Sequence, residues 1–298
     1  MQFAHDAQRT LKTDIGCTGI GLHSGSKVSL KIRPADINTG IRFLRTDVAD
    51  GTGLIVAQWD KVTDTRLCTL LSNDHGVTIG TVEHILSALR GCEIDNALVE
   101  VDGPEVPIMD GSAEPFVFLI DCAGTVSQAA SRQAIRVLRP VEVKDGDKSA
   151  RLTPAGISSF SFMIDFPSPA ISRQEGSIQL INGAYRHDVA RARTFGFAKE
   201  AERLRASGLA RGASLENAIV LRDDRVLNAG GLRFSDEFVR HKLLDAVGDL
   251  YLAGAPILGH YHGHKAGHKM NNDLLRALLT DDSAWCYDTV GEPEAAIA

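Results

Sequence analysis

Residues 238–251 read F-V-R-H-K-L-L-D-A-V-G-D-L-Y, and no other stretch constrains the fold as much. Phe238, Val239, Leu243, Leu244, Val247 and Leu250 recur at helical spacing and cover a broad apolar side. His241 and Asp245 stand four apart, one turn above each other on a shared face. An imidazole and a carboxylate so placed can both touch one metal ion. Asp249 continues the same line one turn further on. On an arbitrary helix such a stripe is ordinarily a solvated face that happens to hold a His/Asp pair. The decision rests on what the rest of the chain supplies.

A chain of 298 residues has room for two ordinary domains or one large one. Its 32 basic and 38 acidic residues give a net charge of −6, which carries no electrostatic footprint for nucleic acid. A net figure hides local sign, so a basic pocket for a phosphorylated ligand stays open. Cys17, Cys68, Cys92, Cys122 and Cys286 are scattered, odd in number and without a C-x-x-C. That pattern argues against a disulfide framework or a Cys-rich zinc finger and fits a reducing compartment. The first twenty residues lack the apolar run of a signal peptide, and no stretch reaches the length of a membrane span. The expectation is a cytoplasmic protein with no stable membrane span. Peripheral membrane contact stays open, and no oligomer is implied.

Along the chain, 27–32 (K-V-S-L-K-I) alternates as a half-buried strand should, and 40–45, 65–71 and 96–101 read as further strands. Residues 81–90 (T-V-E-H-I-L-S-A-L-R) form a short helix, with Thr81 as its cap and Gly91 as its stop. A second helix, 113–123, is apolar on most sides and expected to be well buried. The small, polar run 124–132 reads as an interdomain linker. Strands resume at 134–143, 149–153, 160–166 and 178–181, and 194–205 is amphipathic, with Phe197 and Leu204 on its apolar side. Short strands at 218–221 and 225–227 precede the 238–251 helix, then 256–264 and a last helix from about 272 to 280.

The two halves rhyme. Each runs several strands, a helix, a strand, a glycine-containing turn and a last helix, and the helices share V-x-H-x-L, in 82–86 and 239–243. A duplicated α+β unit follows, with domains at 1–126 and 133–298. Two such units would form a layered β-α-α-β sandwich, helix layer on helix layer, with the active site at the domain interface. Matching helices would then bring His84 and His241 together.

His84, His241 and Asp245 would make three N/O ligands, the set a catalytic zinc site commonly uses while keeping a position for water or substrate. Glu83 flanks His84 without coordinating, where a general base of a metal-assisted hydrolase belongs; an ordinary surface glutamate is its plain alternative. In H-Y-H-G-H-K-A-G-H, His260, His262 and His264 share a strand face, as a surface metal tract or as solvated side chains. His268 follows the A-G turn and opens the final helix, where the helix dipole disfavours protonation. To act as an acid near neutral pH it needs a carboxylate, and Asp249 is the natural partner.

Five motifs together, G-I-G-L-H-S-G, T-V-E-H-I-L-S-A-L, R-A-R-T-F-G-F, H-K-L-L-D-A-V-G-D-L and K-A-G-H-K-M-N-N, resemble the UDP-3-O-acyl-N-acetylglucosamine deacetylases. These are the zinc amidases that commit the lipid A pathway of Gram-negative bacteria. The resemblance runs in order from Thr10 to about Leu279. It implies one zinc ion on His84, His241 and Asp245, Glu83 as general base, and His268 as general acid held by Asp249. It also implies Thr194 beside the oxyanion, Lys242 in the cleft, Lys265 facing the diphosphate, Phe166 stacked on uracil and Phe195 in the substrate site. The segment 194–221 would form an apolar passage for the 3-O-acyl chain. Plain alternatives are a strand-end core aromatic for Phe166 and a solvated lysine for Lys265.

The chain departs from the family where Pro167-Ser168-Pro169 replaces a frequent H-P, and at Ala201 and Arg211 in the presumed passage. The first leaves a histidine of the uracil loop missing; the other two bear on chain length rather than chemistry. Three rivals remain: a metal amidase for another acylated nucleotide sugar, a non-catalytic binding protein, and a structural zinc site. The second has no use for a base, an acid and an oxyanion donor together, and the third predicts a fourth protein ligand.

Overall fold

Alternation builds the sheets. In the strand Lys27–Pro34, Val28, Leu30 and Ile32 are buried while the residues between them face out, the period-two signature of a sheet covered on one side. The computed structural model describes residues 6–49 and 51–289. Its helices are α1 (Glu83–Gly91), α2 (Glu114–Ala123), α3 (Ala184–Asp188), α4 (Ala198–Ala206), α5 (Glu237–Tyr251) and α6 (His268–Leu279). One sheet has five strands, ordered Ile15–Ile20, Lys27–Pro34, Ala97–Val101, Ile41–Arg45 and Leu54–Val56. A seven-stranded sheet is centred on Ile257–His264, which pairs antiparallel with Lys148–Thr153 and parallel with Ser158–Asp165 and Gln133–Val137. The architecture is α+β, and among the described residues no ladder joins these two sheets.

The helices α1 and α5 lie against one another, and glycine makes the approach possible. A Cβ on Gly248 of α5 would fall 1.9 Å from the backbone oxygen of Glu83. Ser87 of α1 donates to the Leu244 oxygen at 2.8 Å, and Tyr185 donates to Ser87 at 2.7 Å. The other side of α5 packs on Ser158–Asp165 and Arg173–Gln179. Phe238, Val239, Leu244 and Val247 are at most 1% exposed, and each contributes about 1.5–3 kcal/mol by leaving water. His241, Asp245 and Asp249 are buried with them, so the polar stripe is not a solvated face.

Several local expectations are corrected. Thr81 does not cap α1: it sits at φ 56°, and its hydroxyl donates to the Glu105 carboxylate at 2.8 Å. Gly91 is the last helical residue, and its bare α-carbon admits the Tyr185 ring. Residues 65–69 form a loop between the strands Val62–Asp64 and Leu70–Ser72, because the Thr69 amide is taken by a side chain. The expected linker is largely a strand, Thr125–Ser131, paired antiparallel with Ala7–Leu11. The 134–143 run breaks at Leu138–Pro140 into Gln133–Val137 and Val141–Asp145, since proline interrupts a ladder. Phe195–Phe197 is a strand rather than the start of α4, and α6 begins at His268. Phe118 of α2 is 65% exposed, so that helix buries only one side. The outer ends of the two expected units, 1–5 and 290–298, lie outside the described residues.

Candidate metal centre and active-site cleft

The seam between α1 and α5 brings His84, His241 and Asp245 together. Their ligand atoms all lie within 4.8 Å of one another, and all three residues are buried. The two imidazoles meet edge to face at 5.1 Å. His241 Nδ1 lies 3.0 Å from the Ala192 oxygen, to which it donates, so its Nε2 keeps a lone pair. That lone pair stands 3.3 Å from Asp245 Oδ1, and His84 Nε2 is 3.6 Å from the same oxygen. Burial outweighs the neighbouring Asp245 carboxylate and lowers His241 to about 4. Asp245 Oδ1 is buried without a hydrogen-bond partner, a costly state for an anion. Electron-rich atoms this close fit a cation held among them. Asp245 Oδ2 accepts from Lys242 at 2.7 Å. Burial opposes ionisation of Asp245, but His241 and Lys242 outweigh it and hold the carboxyl well below its usual range.

Beside this group stand an acid and a carboxylate. His268 Nδ1 is 2.8 Å from Asp249 Oδ2, and its Nε2 is 4.0 Å from Glu83 Oε1. Burial alone would lower His268; the Asp249 carboxylate, then Glu83, overcome it and raise the imidazole to about 9. Burial raises Glu83, with His268 and His84 pulling the other way. Two residues outside the sequence-based site hold these groups. Thr69 donates its amide to Glu83 at 3.0 Å and its hydroxyl to Asp249 at 2.6 Å. Asn271 donates to Asp249 at 2.8 Å. Asn271 lies within K-A-G-H-K-M-N-N and was within reach of a motif reading; Thr69 sits in a run whose pattern says strand.

Above the buried groups opens a cleft of about 680 Å³, lined by Thr194, Phe195, Phe166, His241, Lys242, Lys265 and His268 among others. Thr194 is fixed through its backbone, donating to the Gly111 oxygen at 2.8 Å and accepting from the Ile219 amide at 2.8 Å. Its neighbour Arg193 donates to the fully buried Glu237 at 2.8 Å, tying the R-A-R-T-F segment to the start of α5. Phe166 and Phe195 meet edge to face at 5.7 Å, and Lys242 stands 5.9 Å over the Phe195 ring. Lys265 is paired with Asp147 at 3.0 Å and Asp165 at 3.2 Å. His260 and His262 are elsewhere, hydrogen-bonded to Ser159 and Ser161 on the adjacent strand Ser158–Asp165.

A second cavity of about 540 Å³ shares Arg66 and Leu67 with the cleft and is lined largely by Cys68, Leu70, Leu204, Gly208 and Leu209. Ala201 and Arg211, expected in an apolar passage here, do not line it. Arg211 packs against Gly25 and lines a neighbouring cavity instead.

Residues 8–280 match the family described as LpxC, UDP-3-O-acyl N-acetylglycosamine deacetylase. The UDP-3-O-acyl-N-acetylglucosamine deacetylase of Acidithiobacillus ferrooxidans is 53% identical over 97% of this chain and 95% of its own length. The proteins of that name from Idiomarina loihiensis and Shewanella loihica are each 51% identical, over 97% and 93% of this chain and 94% and 91% of theirs.

Proposed function

The chain belongs to the LpxC family of UDP-3-O-acyl N-acetylglycosamine deacetylases, and on that premise we propose that it removes acetate from UDP-3-O-acyl-N-acetylglucosamine, the committed step of lipid A biosynthesis, as a zinc-dependent amidase. His84, His241 and Asp245 would hold the ion, an N/O set with a further position open for water or substrate. Bound there, zinc supplies Lewis acidity toward the amide oxygen and toward water. Glu83 takes the proton of the attacking water. Thr194 holds the developing oxyanion from the cleft wall. His268, kept protonated by Asp249, gives its proton to the leaving nitrogen, so water and amide become acetate and amine. Lys265 serves the diphosphate side of the cleft and Phe166 stacks on the uracil, while Lys242, bonded to Asp245, and Phe195 line the cleft against the substrate. The cavity under Leu204 and Leu209 takes the 3-O-acyl chain, where each buried CH₂ contributes about 0.8 kcal/mol.

The observation that carries this reading is His268, 2.8 Å from Asp249 on one side and 4.0 Å from Glu83 on the other, beside three buried groups able to hold a metal. A base and an acid paired at one end of a cleft are what amide hydrolysis requires. Division into units of 1–126 and 133–298 is part of the proposal, supported by sheets that share no ladder among the described residues. A cytoplasmic location is supported by free cysteines; no helix among the described residues is long and apolar enough to cross a membrane. The test is acetate release from UDP-linked 3-O-acyl substrates, with and without chelator and with zinc added back. Release that persists in metal-free protein sinks the zinc assignment, and no release under any condition sinks the function.

A further inference from the structure

The tract H-Y-H-G-H, residues 260–264, takes no part in the cleft. It lies in the strand Ile257–His264, where His260, His262 and His264 alternate with the buried Tyr261 and Gly263. Gly263 fixes which way the strand faces. A Cβ there would fall 2.6 Å from the Phe162 ring, in the layer that α5 covers. The three imidazoles therefore stand on the opposite, outer side of the seven-stranded sheet.

The three are not equivalent. His260 is committed at both nitrogens, Nδ1 to Ser159 and Nε2 to Ser161, each at 2.9 Å. His262 is engaged only at Nδ1, 2.8 Å from the same Ser161 hydroxyl. A hydroxyl has one proton to give. Given to His260, it leaves Ser161 Oγ to accept from His262 Nδ1, and the lone pair of the exposed His262 ring then sits on Nε2. His264 makes no side-chain hydrogen bond or ion pair among the described residues, and neither of its ring nitrogens is buried. Residues two apart on a strand share a face and stand about 7 Å apart, which lets two imidazoles lean together on one ion at about 2 Å each. A hydrogen bond that holds one ring nitrogen and frees the other for a metal is the usual support of a histidine ligand. Ser161 supplies it to His262.

We propose that His262, through Nε2, and His264 form an accessory site for a divalent transition-metal ion on the outer face of the sheet, separate from the buried group of His84, His241 and Asp245. Nitrogen ligands of this kind bind Cu²⁺ most tightly, with Ni²⁺ and Zn²⁺ behind it, and water completes the coordination. Arg151, the cross-strand partner of His262, opposes a cation there. Binding is therefore weaker than at a buried three-residue set, and stoichiometric zinc fills the buried group first. The outer site binds copper whatever reaction the cleft performs.

The test uses tag-free, zinc-loaded, full-length protein, passed over immobilised Cu²⁺ and titrated with Cu²⁺ in a calorimeter. The expected result is retention that imidazole reverses, and one Cu²⁺ bound per chain beyond the buried zinc. The double variant His262→Gln/His264→Gln should lose both, while His260→Gln keeps both. Ser161→Ala, which removes the support but neither ligand, should weaken Cu²⁺ about tenfold. Melting temperatures equal to that of the unaltered protein check that the variants are folded. Should the double variant melt early, His262→Gln alone, at an exposed position, carries the same test. Retention and copper binding that these variants leave unchanged overturn the proposal. So does copper binding lost with His260 instead, or no copper bound beyond the zinc.

Discussion

Asp245 divides its two oxygens between different partners, and that division explains the site at the scale of residues. One oxygen is tethered by Lys242; the other faces two imidazoles with nothing to bond. Substituting His241 by alanine should therefore abolish stoichiometric metal, read by elemental analysis, while Glu83→Ala and His268→Ala should keep it. Each of the latter two should lose about 10²- to 10⁴-fold in kcat, the ordinary contribution of a general base or acid; near-normal turnover in either would remove that residue from its role. The pH dependence follows from His268. An ordinary histidine titrates near 6.5, and here Asp249 and Glu83 overcome burial to raise it to about 9. A raised basic group stabilises the fold fully below the unfolded value, and that stability is lost as pH rises through the folded value. Metal-free protein should thus lose on the order of 3 kcal/mol of unfolding free energy between about pH 6.5 and 9. Asp249→Asn should flatten that slope in denaturant melts and move the alkaline limb of kcat/KM to lower pH. An unchanged slope and limb would mean that Asp249 does not hold the proton on His268.

At the scale of elements, the site depends on how near two helices come. The Gly248 α-carbon faces the Glu83 carbonyl so closely that a methyl group would lie 1.9 Å from that oxygen. Backbone cannot swing aside as a flexible side chain does. Gly248→Ala should cost about 1–3 kcal/mol through overpacking, and because α1 carries both Glu83 and His84, turnover should fall further than stability alone accounts for. Gly230→Ala, where no atom lies within 4 Å of the new methyl group, serves as the control; its melting temperature should stay close to that of the unaltered protein. Equal melting temperatures for Gly248→Ala and the control would show that the seam yields more readily than the spacing implies. The helix α5 was legible in the sequence almost to the residue, since apolar spacing survives any packing. The strand expected at 65–71 was not, because a run of threonines and leucines also suits the loop whose Thr69 grips Glu83 and Asp249.

Across the whole molecule, metal and fold are linked. A ligand that binds only the folded chain stabilises it by mass action, about 2.7 kcal/mol at a hundredfold excess over Kd. Chelation should lower the melting temperature, zinc should restore it, and titration should saturate near one ion per chain. A melting temperature indifferent to chelator would separate the three-residue group from metal altogether. What the sequence determined by itself were matters of local spacing and type: the helical period of α5, the His/Asp pair one turn apart, the alternation of Lys27–Pro34 and the ordered motifs that mark the family. What only the tertiary structure decided were matters of approach between distant segments. His84 and His241 are 157 positions apart, a separation on which periodicity is silent, and they meet because Gly248 lets α1 settle onto α5. Thr69 reaches Asp249 from 180 positions earlier in the chain, and Asn271 joins it from the next helix. A hydrogen bond needs atoms within about 3 Å of one another, and distances between remote segments are set by how sheets and helices pack, a property of the whole chain rather than of any stretch of it.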